Sequence, residues 1–72
     1  MDTRAEIARM RAEAKHYRTL AACNRRIERD ARQRGDQLGA LKAKIRTTEL
    51  VRAAQQRDAR AKELRTMMQA AA

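Results

Sequence analysis

The stretch ARQRGDQLGALKA, residues 31–43, contains both glycines of the chain, Gly35 and Gly39, and the fold depends on its conformation. On either side the sequence is one continuous helical pattern that contains no proline. Gly35 is suited to the left-handed conformation that ends a helix, and Asp36 is a favoured N-cap for the next helix. We therefore predict a turn at Gly35 and Asp36. Gly39 then falls in the first turn of the second helix, where its missing side chain lets the other helix approach closely.

The first helix is predicted over about residues 3–33, with Asp2 or Thr3 as its N-cap. Glu6, three residues after Thr3, can complete a capping box. The residues predicted to be buried recur at intervals of three and four, which is the spacing of one helical face. This stripe consists of Ile7, Met10, Ala14, Tyr17, Leu20, Ala21, Asn24, Ile27 and Ala31.

The second helix is predicted over about residues 37–69, after a turn at 34–36, so that residues 1–72 form one helical domain. Its predicted stripe has the same spacing as that of the first helix. This stripe consists of Leu38, Leu41, Ile45, Thr48, Val51, Ala54, Ala61, Leu64 and Met68.

Two architectures fit these stripes. In a single coiled-coil rod the heptad spacing continues from residue 17 to residue 45, but it places Arg34 in the seam beside a glycine. In an antiparallel hairpin, residues whose numbers sum to 71 or 72 face each other, and large side chains mostly meet small ones. The facing pairs are Ile7 with Leu64, Met10 with Ala61, Tyr17 with Ala54, Leu20 with Val51, Asn24 with Thr48, Ile27 with Ile45, and Ala31 with Leu41. We therefore expect an all-α fold, a two-helix antiparallel hairpin.

The chain has few large apolar side chains for its charge. It contains nine Ile, Leu and Val residues, Tyr17 as its one aromatic residue, and a net charge of +9. Such a chain cannot bury enough surface alone, so we expect a homodimer that forms a four-helix bundle. In length and architecture this arrangement resembles the small dimeric hairpin regulators of plasmids and phages. The predicted scaffold and dimer core consists of Ile7, Tyr17, Leu20, Asn24, Ile27, Leu41, Ile45, Val51 and Leu64.

Residues for catalysis are scarce. The chain has no serine, and its single His16 and single Cys23 are seven residues apart, or about 10 Å along a helix. A Cys–His nucleophile pair requires hydrogen-bond distance, and a structural zinc site requires four ligands. The sequence also has no glycine-rich phosphate loop. We therefore predict no catalytic, cofactor or metal site and no small-molecule substrate.

The cellular compartment is inferred from Cys23 and from the apolar runs. A single cysteine excludes an intramolecular disulfide and is consistent with a reducing interior. The longest apolar run, residues 20–23, is far shorter than the roughly 20 residues that span a bilayer. We expect a cytoplasmic protein without a membrane partner.

Basic residues form the strongest functional pattern. Five arginines recur at intervals of seven along the first helix, namely Arg4, Arg11, Arg18, Arg25 and Arg32, and Lys15 and Arg29 lie in the neighbouring row. The second helix adds Lys42, Lys44, Arg46, Arg52, Arg57, Arg60, Lys62 and Arg65. We predict that a partner binds the ridge on the first helix through Arg11, Lys15, Arg18, Arg25 and Arg29.

A solvated surface is the simpler explanation of these charges. Pairs within each helix can neutralise part of the charge: Glu28 with Arg25 or Arg32, Asp30 with Arg26 or Arg34, Asp58 with Lys62, and Glu63 with Arg60. Each pair contributes only a few tenths of a kcal/mol, and the excess of +9 remains. This excess favours an anionic partner.

Three functions are consistent with the sequence. The first is a small non-enzymatic interaction module that binds an acidic surface of a larger protein and modulates or inhibits it. The second is a basic nucleic-acid-binding protein that contacts phosphates and reads few bases, because the chain lacks an aromatic platform for stacking. The third is a structural coiled-coil segment.

Overall fold

The computed structural model describes residues 2–71, and it contains two α-helices within that range, α1 (Thr3–Gln33) and α2 (Gln37–Ala71). The two helices pack against each other as an antiparallel hairpin that measures 56 × 14 × 14 Å. The all-α hairpin predicted from the sequence is confirmed, and the single rod is wrong. The second helix continues two residues beyond its predicted end at residue 69.

The chain reverses through a Schellman turn. Gly35 has a φ of 77°, and its backbone N–H donates to the carbonyl of Arg32 at 3.0 Å. The N–H of Asp36 donates to the carbonyl of Ala31 at 2.8 Å, which satisfies a second carbonyl at the end of α1. The Asp36 carboxylate then accepts from the N–H of Gly39 at 2.8 Å and caps α2. Two adjacent residues thus end one helix and begin the next.

Gly39 has a role in the cap of α2. A Cβ atom at this position would clash with the Asp36 carboxylate, whose Cγ would lie 2.8 Å away. The three nearest atoms all belong to Asp36, so an added side chain would first meet the cap of α2. The missing side chain makes room for the cap of α2.

The first helix begins at an aspartate cap. Asp2 has extended backbone geometry, and its carboxylate accepts from the N–H of Arg4 at 3.0 Å. Asp2 is therefore the N-cap, which was one of the two expected candidates.

Alanine dominates the seam between the helices. The buried residues are Ala14, Ala21 and Ala31 of α1 and Ala40, Ala43, Thr47, Leu50, Ala54, Ala61 and Leu64 of α2. In each helix the seam positions alternate in steps of three and four. Because the chain reverses at residues 34–36, positions whose numbers sum to about 71 are inferred to lie at the same height along the hairpin. Leu50 and Leu64, which are 2% and 6% exposed, are the two large aliphatic side chains in this buried set.

The predicted seam is wrong in the half of the hairpin next to the turn. Four large side chains, Ile27, Leu38, Leu41 and Ile45, are between 51% and 63% exposed. The pairs Ile27 with Ile45 and Ala31 with Leu41 are therefore not seam pairs. Near the turn the buried positions of α2 are Ala40, Ala43 and Thr47, which continue the heptad spacing of the seam residues farther along the helix. Leu38, Leu41 and Ile45 therefore lie on the outer side of α2, roughly 160° around the helix axis from the seam.

The polar pair Asn24 with Thr48 is also wrong. Thr48 is exposed, and the residue level with Asn24 is the buried Thr47. Both polar side chains bond within their own helices: Asn24 donates to the carbonyl of Leu20 at 3.0 Å, and Thr47 donates to that of Ala43 at 2.9 Å. Within residues 2–71 every buried side-chain nitrogen and oxygen has a hydrogen-bond partner.

Leu20 and Val51 do not face each other across the seam. Both are half-buried. Val51 lies beside Arg18 and Arg25 at one margin of the seam. The periodicity of α1 places Leu20 at the opposite margin.

Candidate binding interface

One long side of the hairpin, which we call the basic edge, gathers most of the cations. Arg11 and Arg18 contact Asp58 of α2, which shows that the seven-residue arginine row lies along the junction of the helices. The periodicity of α2 places three of its cations on the same side. The basic edge consists of Arg4, Arg11, Lys15, Arg18, Arg25, Arg29, Arg32, Lys44, Lys62 and Arg65, all exposed.

The basic edge accounts for nearly the whole net charge of the chain. It holds ten of the 18 Lys and Arg residues, and of the nine acidic residues Asp58 and Glu28 form ion pairs with its cations. The eight basic and seven acidic residues elsewhere nearly cancel, so a formal excess of +8 is concentrated on this side. A charge distribution this uneven produces a directional field that attracts and orients an anionic partner.

Two of the predicted binding residues are already paired within the chain. Arg11 approaches a carboxylate oxygen of Asp58 at 3.4 Å, and Arg18 contacts its other oxygen. The sequence had suggested Lys62 as the partner of Asp58, and that pairing is wrong because Asp58 points across the seam towards α1. Half-exposed pairs of this kind contribute at most about 1 kcal/mol, so an external anion can compete for either guanidinium.

A cleft interrupts the basic edge near its middle. It has a volume of about 250 Å³, and Arg18 and Arg25 flank it. Its remaining lining is Ala21, Val51, Ala54 and Gln55, so its floor is mainly apolar. A glutamate or aspartate side chain that enters this cleft can bring its carboxylate close to two guanidinium groups while its methylene carbons pack on the apolar floor.

Arg25, Lys15 and Arg29 are the available cations of the predicted site. All three are exposed, and within residues 2–71 none of them forms an ion pair. Their neighbour Arg32 is held by Glu28 at 2.6 Å, which is one of the pairs expected from the sequence. The structure thus places all five predicted binding residues on one side and leaves three of them unpaired.

Arg57 lies in the seam, although the sequence had suggested an exposed cation. Its guanidinium carbon lies 5.0 Å from the centre of the Tyr17 ring, and its Nε donates to Glu13 at 3.3 Å. A cation over an aromatic face is favourable, and the carboxylate balances the charge. The heptad of Ala54 and Ala61 includes position 57, and this was the signal in the sequence that could have located it.

His16 and Cys23 are both exposed on α1. Among residues 2–71 no three His, Cys, Asp or Glu side chains are grouped so that they could hold a metal ion. Over the same range neither helix contains an apolar stretch that could cross a bilayer.

Comparison with known proteins finds no matching family model, no similar curated protein and no similar solved structure. A proposal for the function of this hairpin therefore depends on the chemistry of its own surface.

Proposed function

We propose that this hairpin is a non-enzymatic interaction module that binds an acidic surface of a larger protein and modulates or inhibits it. The observation that carries the proposal is the concentration of a formal charge of +8, of the chain's +9, on the basic edge. The cleft between Arg18 and Arg25 gives this surface a defined centre. The exposed single Cys23 is consistent with a cytoplasmic setting for this interaction.

The helical scaffold suits this task. Residues seven apart on α1 lie about 10 Å apart, so the arginine row presents charges at fixed intervals along a straight element. Arginine binds carboxylates through two parallel hydrogen bonds and loses less freedom per bond than lysine does. An acidic protein surface that meets the basic edge gains both a fast encounter and a fixed orientation.

Apolar surface beside the charges favours a protein over a nucleic acid. Val51 and two alanines form the floor of the central cleft, and an aliphatic side chain of a protein partner can pack on Val51 while a neighbouring carboxylate binds Arg18 or Arg25. Tyr17, the single residue of the Phe, Tyr and Trp class, lies beneath Arg57 and is not placed to stack on a base. The regular arginine row does suit phosphates, so nucleic acid is the second candidate.

Self-association is part of the proposal. The side of the hairpin opposite the basic edge, which we call the neutral flank, carries Leu20, Ile27, Ala53 and Met67 among charges of both signs. Two hairpins that pack through their neutral flanks form a four-helix bundle, and both basic edges then face outward. This arrangement covers the exposed Ile27 without bringing the two positive surfaces together.

Capture from a cell lysate, with and without nuclease, tests the proposed function. The bait with Arg25→Gln and Arg29→Gln removes two unpaired cations from the basic edge. A matched bait with Arg26→Gln and Lys42→Gln removes the same charge from exposed positions outside it. We expect one protein to be recovered by the native and the matched baits despite nuclease, and to be lost with the edge variant.

Two results would contradict the proposal. Loss of every partner on nuclease treatment would favour the nucleic-acid function. Equal recovery by the edge variant and the matched control would show that the basic edge is only a solvated surface. Circular dichroism of all baits controls for loss of the fold, and we expect identical helix content because the changed residues are exposed.

A further inference from the structure

The outer face of α2 carries a second apolar stripe, which we call the outer stripe. It consists of Leu38, Leu41, Ile45 and Thr48, and the three aliphatic side chains are each more than half exposed. These residues repeat at steps of three and four, roughly 160° from the seam. Contiguous exposed aliphatic side chains at helical spacing mark a surface that another element covers.

The outer stripe forms a shallow groove with a mostly cationic rim. The groove has a volume of about 340 Å³ and is lined by Leu41, Lys44, Ile45, Thr48, Glu49 and Arg52. Leu41 and Ile45 are one turn apart, which is the spacing of anchor sites for a docked helix. Lys44 belongs both to this rim and to the basic edge, so the two surfaces are continuous.

Cations of α1 lie at the same level as the groove. Residues of α1 and α2 whose numbers sum to about 71 lie at the same height along the hairpin axis. Arg25 and Arg29 of α1 are therefore at the height of the segment 42–46 of α2. These are two of the unpaired cations of the basic edge. The groove therefore has an apolar floor on α2 and Lys44 on the side that faces the basic edge, and the two arginines lie beyond its lining on α1.

We propose that the outer stripe docks an acidic amphipathic helix of the partner protein. The apolar face of that helix covers Leu41 and Ile45, and its acidic flank faces Lys44, Arg25 and Arg29. The docked helix adds a third helix to the hairpin near the turn. This inference rests on the proposed function, because it specifies which element of the acidic partner binds.

A second copy of this chain suits the outer stripe less well. The stripe runs over about 15 Å, whereas a stable dimer interface buries about 800 Å² on each partner. Each copy also carries a charge of +9, and the cations that rim the groove would meet their own counterparts. An acidic helix, in contrast, matches both the apolar floor and the rim.

Binding of a designed peptide tests this inference on the full chain. The probe is a labelled three-heptad helix with leucine at the first and fourth heptad positions and glutamate at most others. The control probe has the same composition in a scrambled order that cannot form an apolar face. We expect the ordered probe to bind, and Leu41→Gln with Ile45→Gln to weaken it by about tenfold or more. Ala12→Gln, which changes an exposed apolar residue of α1 outside the groove, the basic edge and the neutral flank, should leave the affinity unchanged.

The outcomes separate this inference from the proposed function. One outcome would be weaker probe binding by the double variant Arg25→Gln with Arg29→Gln but unchanged binding by the double variant Leu41→Gln with Ile45→Gln. That outcome would support an acidic partner on the basic edge and contradict docking on the outer stripe. Equal affinity for the ordered and scrambled probes would also overturn it. Sedimentation equilibrium gives a further test: dissociation of a dimer by Leu41→Gln with Ile45→Gln would identify a second copy as the occupant and contradict the inference.

Discussion

At Gly35 the backbone has a φ of 77°, and no group beyond the two adjacent residues lies within 4 Å of the position that a Cβ atom would occupy. The requirement for glycine there is therefore conformational and does not arise from crowding. Gly39 presents the opposite case, because its φ is ordinary and the space beside it is filled by the Asp36 carboxylate. Two glycines four residues apart thus serve one turn in different ways.

The Asp36 cap and the glycine at position 39 should be energetically coupled. Asp36→Ala removes the bond to the N–H of Gly39 and should cost about 1 kcal/mol of the free energy of unfolding. In a Gly39→Ala background the added methyl already displaces the carboxylate, so the same change should cost much less. Urea unfolding of the two single variants and the double variant measures this coupling. Equal costs in both backgrounds would contradict the assigned role of Gly39.

At the scale of the elements, the two helices differ in how their sequence indicates the buried face. The buried and half-buried positions of α1 lie close to its predicted stripe. In α2 the large aliphatic residues near the turn lie on the outer stripe, while Ala40, Ala43 and Thr47 face α1. Alanine seams allow a close approach of the two helices, so small residues can form the interface while larger ones remain outside.

Substitutions in α2 distinguish the seam from the outer stripe. Leu50→Ala removes a side chain that is buried in the seam and should cost roughly 2–5 kcal/mol of the free energy of unfolding. Leu41→Ala is the matched control on the same helix, and it should change stability by no more than about 0.5 kcal/mol because Leu41 is exposed. Thermal and urea unfolding of the isolated protein measure both values. A cost for Leu41→Ala as large as that for Leu50→Ala would favour the seam first expected from the sequence.

The sequence predicted the features that depend on local chemistry. Gly35 and Asp36 specify the turn through backbone conformation and capping, and neither requires knowledge of the packing. The face of α2 that packs on α1 near the turn was not predictable in the same way. This part of α2 has a stripe of small residues and a stripe of large aliphatic residues with identical spacing, and the greater hydrophobicity of the aliphatic stripe predicts that it is the buried one. The ion pairs of Asp58 with α1 were missed for a related reason: they depend on which residues share a level across the seam.

In the molecule as a whole, the excess of positive charge runs along the long axis of the hairpin. The hairpin is 56 Å long, and its charge excess lies along one side of that length. The seam consists mainly of alanines and supplies little apolar area, so the isolated hairpin is expected to be marginally stable. Packing of two hairpins through their neutral flanks would add buried area and leave both basic edges free.

Dilution tests this proposed dimer. If two hairpins stabilise each other, the melting temperature should fall as the protein concentration is lowered. Ile27→Glu places a charge in the neutral flank and should abolish the concentration dependence. Small-angle scattering of the native dimer should give a length close to that of one hairpin, because the hairpins pack side by side. A monomer whose melting temperature is independent of concentration would contradict the dimer.

Five single substitutions measure whether the basic edge binds its partner through a defined centre at the cleft. Arg11, Lys15, Arg18, Arg25 and Arg29 are each changed to Gln, and the affinity for the partner protein recovered from the lysate is measured at two salt concentrations. We expect an uneven pattern in which Arg25→Gln, which removes an unpaired guanidinium from the cleft, costs about 2 kcal/mol or more. Arg18→Gln should follow, and Arg11 and Lys15, which lie outside the cleft, should contribute little. Equal losses at all five positions with a steep salt dependence would contradict a defined centre and indicate a phosphate-binding surface.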